Sequence, residues 1–242
     1  MERAPSDEEP SRRPRLTQGA HIYARTPNPL VILSTVTSES DVEPASGQTR
    51  QLTPSQVIET AARIADDEGI DAVTLTRVAK ELGVRQPALY RHVDGVAALW
   101  SALALRARDA LVGRLTDAAV GRSRAEAITD VAHAWRQFVV DHPGLYSATD
   151  RIASAGDPEL EASVDRVVRV IALAISGYHL SDESTMHAAR SIRSALHGFC
   201  LLEKDGGHPP PYSLDDSFDR LVALLIAGVD GMVERETADQ RG

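Results

Sequence analysis

Residues 74–93 carry two short apolar segments on either side of a single glycine, and this arrangement constrains the fold more than any other feature of the chain. Val78 and Leu82 are four residues apart, so they lie on one face of a helix. Gly83 can adopt the left-handed turn conformation at no steric cost. Leu89 then supplies an apolar side chain for the angle between two helices. The segment therefore predicts a helix-turn-helix.

The polar residues of the same segment suit contact with DNA. The second helix of a helix-turn-helix lies in the major groove, where Arg and Gln read base edges. Thr and Tyr hydroxyls can hold phosphates. The segment has four basic residues against one acidic residue, although the whole chain has a net charge of −9. The predicted DNA-binding residues are Thr74, Thr76, Arg77, Arg85, Gln86, Pro87, Ala88, Tyr90, Arg91 and His92.

The chain from residue 53 onward reads as a series of helices with clear start signals. Thr53 is a good N-cap, Pro54 follows at the first helical position, and Gln56 completes a capping box. Ser123 and Glu126 predict a second capping box. No region shows the sustained alternation of a strand, so the predicted class is all-α with nine helices. Their approximate ranges are 54–68, 74–82, 86–92, 96–119, 123–141, 143–146, 158–177, 181–206 and 213–236.

The N-terminal segment differs from the helical part. Six prolines interrupt residues 1–52, and Ser, Thr and Glu crowd its second half. We predict a disordered extension there. Residues 53–97 are predicted to form the DNA-binding domain, and residues 98–242 a helical ligand-binding and dimerisation domain.

Composition excludes several classes of protein. The chain has one cysteine, Cys200, so it has no intrachain disulfide framework and no multi-cysteine zinc site. Its longest stretch without Asp, Glu, Lys or Arg is Thr26 to Ser38, which is shorter than the roughly 20 residues that span a bilayer. The first ten residues are acidic, unlike a signal peptide. We expect a cytoplasmic protein without a metal site or cofactor.

The string LGVRQPALYRHV, residues 82–93, strongly resembles the helix-turn-helix of the TetR family of bacterial transcriptional regulators. The strings DHPGLY (141–146) and ALHGFCLL (195–202) resemble one C-terminal variety of that family. Two departures stand out: Val96 replaces a common lysine, and Val93 replaces a frequent phenylalanine. The resemblance implies a three-helix DNA-binding domain, six further helices, and a dimer built from the last two helices of each subunit.

The C-terminal part offers candidates for a ligand pocket and a dimer interface. Aromatic residues at helical spacing are most simply core residues, yet they would line a cavity if one exists. The last helix is apolar over an arc wide enough to face both its own core and a second subunit. The pocket candidates are Trp135, Phe138, Tyr146, Tyr178, His197 and Phe199. The interface candidates are Leu221, Leu225, Val229 and Met232.

These features together predict a dimeric DNA-binding regulator, a repressor that an unknown small molecule releases from a palindromic operator. Because residues 101–242 are acidic on balance, a neutral or cationic apolar ligand is favoured. A ligand-independent DNA-binding regulator is the alternative. An all-helical enzyme is a further alternative, but no phosphate-binding glycine loop and no Ser/His/Asp spacing supports it. The expected partners are double-stranded DNA, a small molecule and a second copy of the chain, with no membrane.

Overall fold

The computed structural model describes residues 52–241, and every regular element in this range is helical. The predicted disordered extension therefore lies outside the described residues except at its last position. Short 3-10 helices connect or extend the α-helices at Ile70–Ala72, Gln86–Arg91 and Ser176–Tyr178. The α-helices are α1 (Pro54–Glu68), α2 (Leu75–Glu81), α3 (Gly95–Ala119), α4 (Arg124–Asp141), α5 (Pro143–Arg151), α6 (Pro158–Ala174), α7 (Asp182–Lys204) and α8 (Leu214–Asp239).

Local signals at the helix starts explain most of these bounds. At the start of α1, the Gln56 backbone N–H donates to Thr53 Oγ1 at 3.2 Å, and the Thr53 N–H donates to Gln56 Oε1 at 3.0 Å. This is the predicted capping box, and each residue supplies a partner for a backbone N–H of the other. Ser181 and Ser213 cap α7 and α8 with one bond each, in which the side-chain hydroxyl accepts a backbone N–H.

The second predicted capping box does not form. α4 begins at Arg124, whose φ of 50° lies in the left-handed region, and Ser123 makes no side-chain cap bond. The Arg124 guanidinium lies 4.6 Å from the ring centre of Tyr178 and 3.6 Å from an Asp230 carboxylate oxygen. These tertiary contacts compete with the local capping geometry, and the prediction from the sequence was wrong here.

Two other elements differ from the sequence prediction. The third helix, Gln86–Arg91, is a 3-10 helix rather than an α-helix. α5 extends to Arg151, beyond the predicted end at Tyr146, because Ala148 is buried in the core under α1. Counted by type, the described residues form eight α-helices and three 3-10 helices instead of nine helices.

The buried residues form two apolar cores that share two helices. The first core joins α1, α2 and the 3-10 helix Gln86–Arg91, and the second joins α4, α6, α7 and α8. α3 contributes Leu103 to the first core and Leu111 to the second. α5 likewise contributes Leu145 to the first and Tyr146 to the second. Neither core can therefore rearrange without involving α3 and α5.

The start of α5 lies directly against the end of α1. A Cβ atom at Gly144 would be 1.6 Å from the Ala65 carbonyl oxygen, so only glycine fits there. Asp66 fixes the same contact, because its carboxylate accepts the Leu145 backbone N–H at 2.7 Å and faces His142 Nδ1 at 3.0 Å. The His142 side chain itself does not cap α5, so Asp66 performs that capping role from a neighbouring helix.

Within residues 52–241, no helix is both long and apolar enough to cross a membrane. In the same range, no three His, Cys, Asp or Glu side chains are grouped so that they could hold a metal ion.

Candidate DNA-binding surface and ligand cavity

The turn after α2 has the geometry that the sequence predicts. Gly83 has a φ of 68°, in the left-handed region. Two backbone bonds close the turn: Gly83 N–H donates to Lys80 O at 3.2 Å, and Val84 N–H donates to Ala79 O at 3.0 Å. This pair of bonds is the Schellman motif, which satisfies the last carbonyls of a helix. It sets the angle at which the next helix leaves.

The inner faces of the two helices pack into the first core. Val78 and Leu89 are fully buried, and Leu75 and Val93 are almost so. The opposite face of the 3-10 helix is consequently exposed. It carries Arg85, Pro87, Tyr90 and Arg91, and Tyr90 is 52% exposed. Gln86, Ala88 and His92 are half-buried beside this face, and Thr74 and Thr76 are exposed on the α2 side.

A row of hydrogen bonds fixes polar side chains across the turn. The Thr76 hydroxyl donates to Gln86 Oε1 at 3.0 Å, and Gln86 Nε2 donates to the Tyr90 hydroxyl at 3.4 Å. Thr74 Oγ1 accepts the Arg77 backbone N–H at 3.1 Å, as an N-cap does. Side chains held in this way lose less conformational entropy on binding, so the row is pre-organised to contact a binding partner.

Arg77 differs from the other basic residues predicted to bind DNA because it is paired with carboxylates of the protein. Its guanidinium contacts Glu68 at 2.5 Å and Glu81 at 2.8 Å, and Glu81 also pairs with Arg63 at 3.0 Å. Hydrogen bonds to Arg77 lower the pKa of both carboxyl groups, and the two carboxylates raise the pKa of Arg77. The positive charge of Arg77 is compensated within the protein, and this residue joins α2 to the end of α1.

The remaining basic side chains of the motif differ from Arg77 in exposure and in ion pairing. Lys80, Arg85 and Arg91 are exposed and form no ion pair among the residues that the structure describes. Uncompensated cations on an exposed face are the electrostatic feature of a phosphate-binding surface. Lys80 was missing from the predicted set, although its position in the basic segment was a usable signal.

A small cavity lies among α3, α4, α5, α6 and α7. Its volume of about 20 Å³ is that of roughly one water molecule. The walls combine aromatic, aliphatic and charged side chains. They are Arg108, Leu111, Trp135, Tyr146, Thr149, Asp150, Val164, Val167, Arg193 and His197.

Three of the six pocket candidates meet at this cavity in one hydrogen-bonded row. The Tyr146 hydroxyl accepts from Trp135 Nε1 at 3.0 Å and lies 2.6 Å from His197 Nδ1. His197 Nε2 lies 3.1 Å from Asp150 Oδ1. Because a carboxylate can only accept, Nε2 carries the proton and Nδ1 accepts the Tyr146 O–H. Burial raises the pKa of Tyr146, which keeps the hydroxyl neutral.

The other three candidates do not line the cavity. Phe138 is buried behind Tyr146, with ring centres 6.3 Å apart. Phe199 stacks near Phe218, at 5.1 Å, on the far side of α7. Tyr178 lies under the Arg124 guanidinium. These three rings therefore pack against other side chains of the protein and do not contact the cavity.

The cavity also contains a residue that the sequence interpretation missed. Arg108 is only 5% exposed and lies on α3. A signal was present, because Ala104, Leu111 and Leu115 lie on the same face of the helix as Arg108 and are all apolar. An arginine within a buried stripe is unusual enough to mark a position for inspection.

The predicted dimer-interface residues on α8 divide into two groups. Val229 is 3% exposed and packs into the core of its own protomer. Leu221, Leu225 and Met232 are half-buried, and the last two pack against the second core. Leu224, which the prediction left out, is 70% exposed. The most exposed large apolar side chain of α8 is therefore Leu224, which lies next to the predicted residue Leu225.

Comparisons with known proteins agree with this architecture. Residues 57–99 match the family model described as bacterial regulatory proteins, tetR family, and residues 128–225 match the tetracyclin repressor-like C-terminal domain. The HTH-type transcriptional regulator Rv0681 of Mycobacterium tuberculosis is 35% identical over 181 residues, which cover 74% of this chain and 83% of the relative.

Two solved structures have the same fold. BioQ of Mycobacterium smegmatis is 25% identical with a TM-score of 0.59, and the match covers 75% of this chain and 99% of BioQ. ActR of Streptomyces coelicolor, in complex with (S)-DNPA, is 20% identical with a TM-score of 0.58, covering 76% of this chain and 99% of ActR. On this evidence, the chain belongs to the TetR family of bacterial transcriptional regulators.

Proposed function

We propose that this regulator is a dimeric repressor that leaves a palindromic operator when a small molecule enters the cavity. The observation that carries the proposal is the sharing of α3 and α5 by the two cores, which links the helix-turn-helix to the cavity walls. Residues 53–97 would form the DNA-binding domain, and residues 98–242 the domain for ligand and dimer contacts.

Recognition of DNA would use the exposed face of the 3-10 helix Gln86–Arg91. Arg91 suits a guanine edge and Gln86 an adenine edge in the major groove. Tyr90 and Thr76 would orient Gln86 and contact phosphates through their hydroxyls. Lys80 adds an exposed positive charge beside them. Thr74, Arg85, Pro87, Ala88 and His92 complete the proposed surface.

The coupling between the two functions would pass through α5. One end of α5 carries Gly144 and Leu145, which are fixed to α1 through Ala65 and Asp66. The other end carries Thr149 and Asp150, which line the cavity. A ligand larger than one water molecule must push the cavity walls apart, and displacement of α5 would then move α1.

The thermodynamic consequence is mutual exclusion of ligand and DNA. If the ligand prefers the conformation with α5 displaced, it weakens DNA binding, and DNA weakens ligand binding by the same factor. The complex of ActR with (S)-DNPA supports the idea that this fold accommodates a small molecule. A regulator without a ligand is the alternative, and it is favoured by the small size of the cavity in the present conformation.

Subunit contact would use the exposed faces of α7 and α8. Leu202 is 51% exposed on α7 and Leu224 is 70% exposed on α8. Leu224 is surrounded by the small exposed residues Ala223, Ala227 and Gly228, which allow a second helix to approach closely. A two-fold dimer would place its two recognition helices in successive major grooves, so the operator would have two-fold symmetry.

We do not propose a catalytic role, although Tyr146, His197 and Asp150 follow the hydroxyl, imidazole and carboxylate order of a catalytic triad. The Tyr146 side chain is 1% exposed, its hydroxyl already has two partners, and burial raises its pKa. A nucleophile needs access and an activated oxygen. We propose a cytoplasmic site of action, where the DNA would be.

The test is selection of DNA by the full chain from a random pool, followed by a gel shift with the selected site and with the DNA upstream of its own coding sequence. We expect enrichment of a site with two symmetric halves and a marked preference for it over random DNA. Equal binding of selected and random DNA at physiological salt would refute the proposed sequence-specific regulator.

A further inference from the structure

Arg108 holds a buried positive charge that has no carboxylate as a direct hydrogen-bond partner. Its Nη1 donates to Ser163 Oγ at 3.2 Å, and its Nη2 donates to Thr149 O at 2.8 Å and Ser154 Oγ at 3.2 Å. All three acceptors are neutral oxygens. Within residues 52–241, no carboxylate lies within ion-pair distance of this guanidinium.

Such an arrangement is costly, because taking a charge out of water is repaid only by an opposite charge and by full hydrogen bonding. Burial lowers the pKa of Arg108 and the nearby positive charge of Arg193 lowers it further, whereas the negative charge of Asp150 raises it in part. The half-buried Arg136, by comparison, has two carboxylate partners, Glu203 at 2.6 Å and Asp215 at 2.8 Å. Arg108 therefore differs from Arg136 in lacking a direct carboxylate partner, and Asp150 offsets its charge only from a distance.

The charges around the cavity are positive on balance. Arg108 and Arg193 both line it, and Asp150 is its single acidic lining residue. Asp150 is hydrogen-bonded to His197, so part of its accepting capacity is already used. The uncharged lining residues include Leu111 and Val167. One excess positive charge beside apolar walls matches a monoanion with an apolar body better than a phosphate, which carries more charge.

We propose that the cavity binds a small organic acid, whose carboxylate pairs with Arg108 and Arg193 while its apolar part contacts Leu111, Val164 and Val167. This inference deepens the proposed function and rests on it for the link to DNA. It reverses the expectation from overall charge, which favoured a neutral or cationic ligand. Within this partly enclosed site, the charges that line the cavity outweigh the distant acidic surface, because water screens the latter.

The position of Arg108 also gives the acid a way to act on the structure. Arg108 Nη2 bonds to the Thr149 carbonyl at the C-terminal end of α5, so it joins α3 to α5. A carboxylate competes for the same guanidinium N–H groups and forms stronger bonds than a neutral carbonyl. Binding would loosen α5 from α3 on the side opposite its contact with α1.

The test compares matched compounds on the full chain by calorimetric titration and thermal unfolding. The probes are 3-phenylpropanoate, 3-phenylpropanamide and 3-phenylpropylamine, with hexanoate, hexanamide and hexylamine as a second set. We expect the acids to bind and raise the melting temperature, and the amides and amines to bind at least about tenfold more weakly. Arg108→Met should weaken the acids about tenfold or more and leave the amides unchanged.

Arg114→Met is the matched control, because Arg114 lies on the same helix but pairs with Asp141 at the surface. Arg193→Met tests the second cation and serves if Arg108→Met fails to fold. Amides or amines that bind as well as the acids, acids that still bind Arg108→Met, or no binding by any acid would each overturn the proposal. DNA release is measured separately: an acid that binds without releasing DNA upholds the site and refutes the proposed release mechanism.

Discussion

We expect Asp66→Ala to weaken the contact between α1 and α5, which links the two cores of this regulator, and to leave the packing within each core intact. Asp66 lies on α1 and accepts the Leu145 backbone N–H at 2.7 Å, in the first turn of α5. It also faces His142 Nδ1 at 3.0 Å. Alanine would leave the Leu145 N–H without an acceptor and would remove the polar connection between α1 and α5.

The magnitude follows from these two contacts. Loss of an N-cap bond costs about 0.5–2 kcal/mol, and a hydrogen bond to a charged group contributes about 1.5–3 kcal/mol. The His142 side chain is 41% exposed, so its pairing with Asp66 adds at most about 1 kcal/mol. We expect Asp66→Ala to lower the free energy of unfolding by about 2 kcal/mol. For a domain of this size that corresponds to a fall in melting temperature of roughly 4–8 °C.

The assay is urea unfolding together with ligand titration of the DNA complex. Ligand-driven DNA release should require more ligand in Asp66→Ala, because displacement of α5 no longer acts fully on α1. Asp67→Ala is the matched control, since Asp67 is the next residue on α1 and is exposed. If both variants unfold like the parent chain and release DNA at the same ligand concentration, the contact between α1 and α5 does not carry the signal.

Three further predictions concern DNA contact, assembly and the single thiol. Arg91→Ala should weaken specific binding by about 1–3 kcal/mol and relax one base position per half-site in a selection experiment, whereas the exposed Arg190→Ala should change neither. Leu224→Arg should give a folded monomer by light scattering, while Leu173→Arg, at 72% exposure on α6, should remain dimeric; a dimeric Leu224→Arg would place the interface elsewhere. Burial raises the pKa of Cys200 from 9.0 to about 12, so the folded thiol should resist iodoacetamide at pH 8. The stabilisation from the buried, protonated Cys200 thiol should be complete below pH 9 and lost as the pH rises towards 12. If the free energies of unfolding of the parent chain and of Cys200→Ala changed equally over this pH range, the assignment would be contradicted.

The sequence was sufficient for features that depend on neighbouring residues. The capping box of Thr53 and Gln56 forms between residues three apart, and Gly83 adopts its turn conformation because of its own missing side chain. The alternation of buried and exposed positions in the helix-turn-helix follows from helical periodicity alone. For this reason the all-α class, most helix bounds and the exposed face of the second motif helix could be predicted.

Only the tertiary structure decided features that depend on distant residues. Ser123 and Glu126 have the spacing of a capping box, yet Arg124 contacts Tyr178 and Asp230 and the box does not form. The sequence shows that Arg77 is charged, but only the packing of α1 against α2 places Glu68 beside it.

The same holds for the residues that connect the two cores. Asp66 and Leu145 are 79 positions apart, and Arg108 and Ser163 are 55 positions apart. No local pattern encodes such pairs, because their geometry depends on how α1, α3, α5 and α6 pack together. Burial is likewise set by the whole fold, so the sequence could show that α8 has a wide apolar arc, but only packing determined that Val229 faces inward and Leu224 faces solvent.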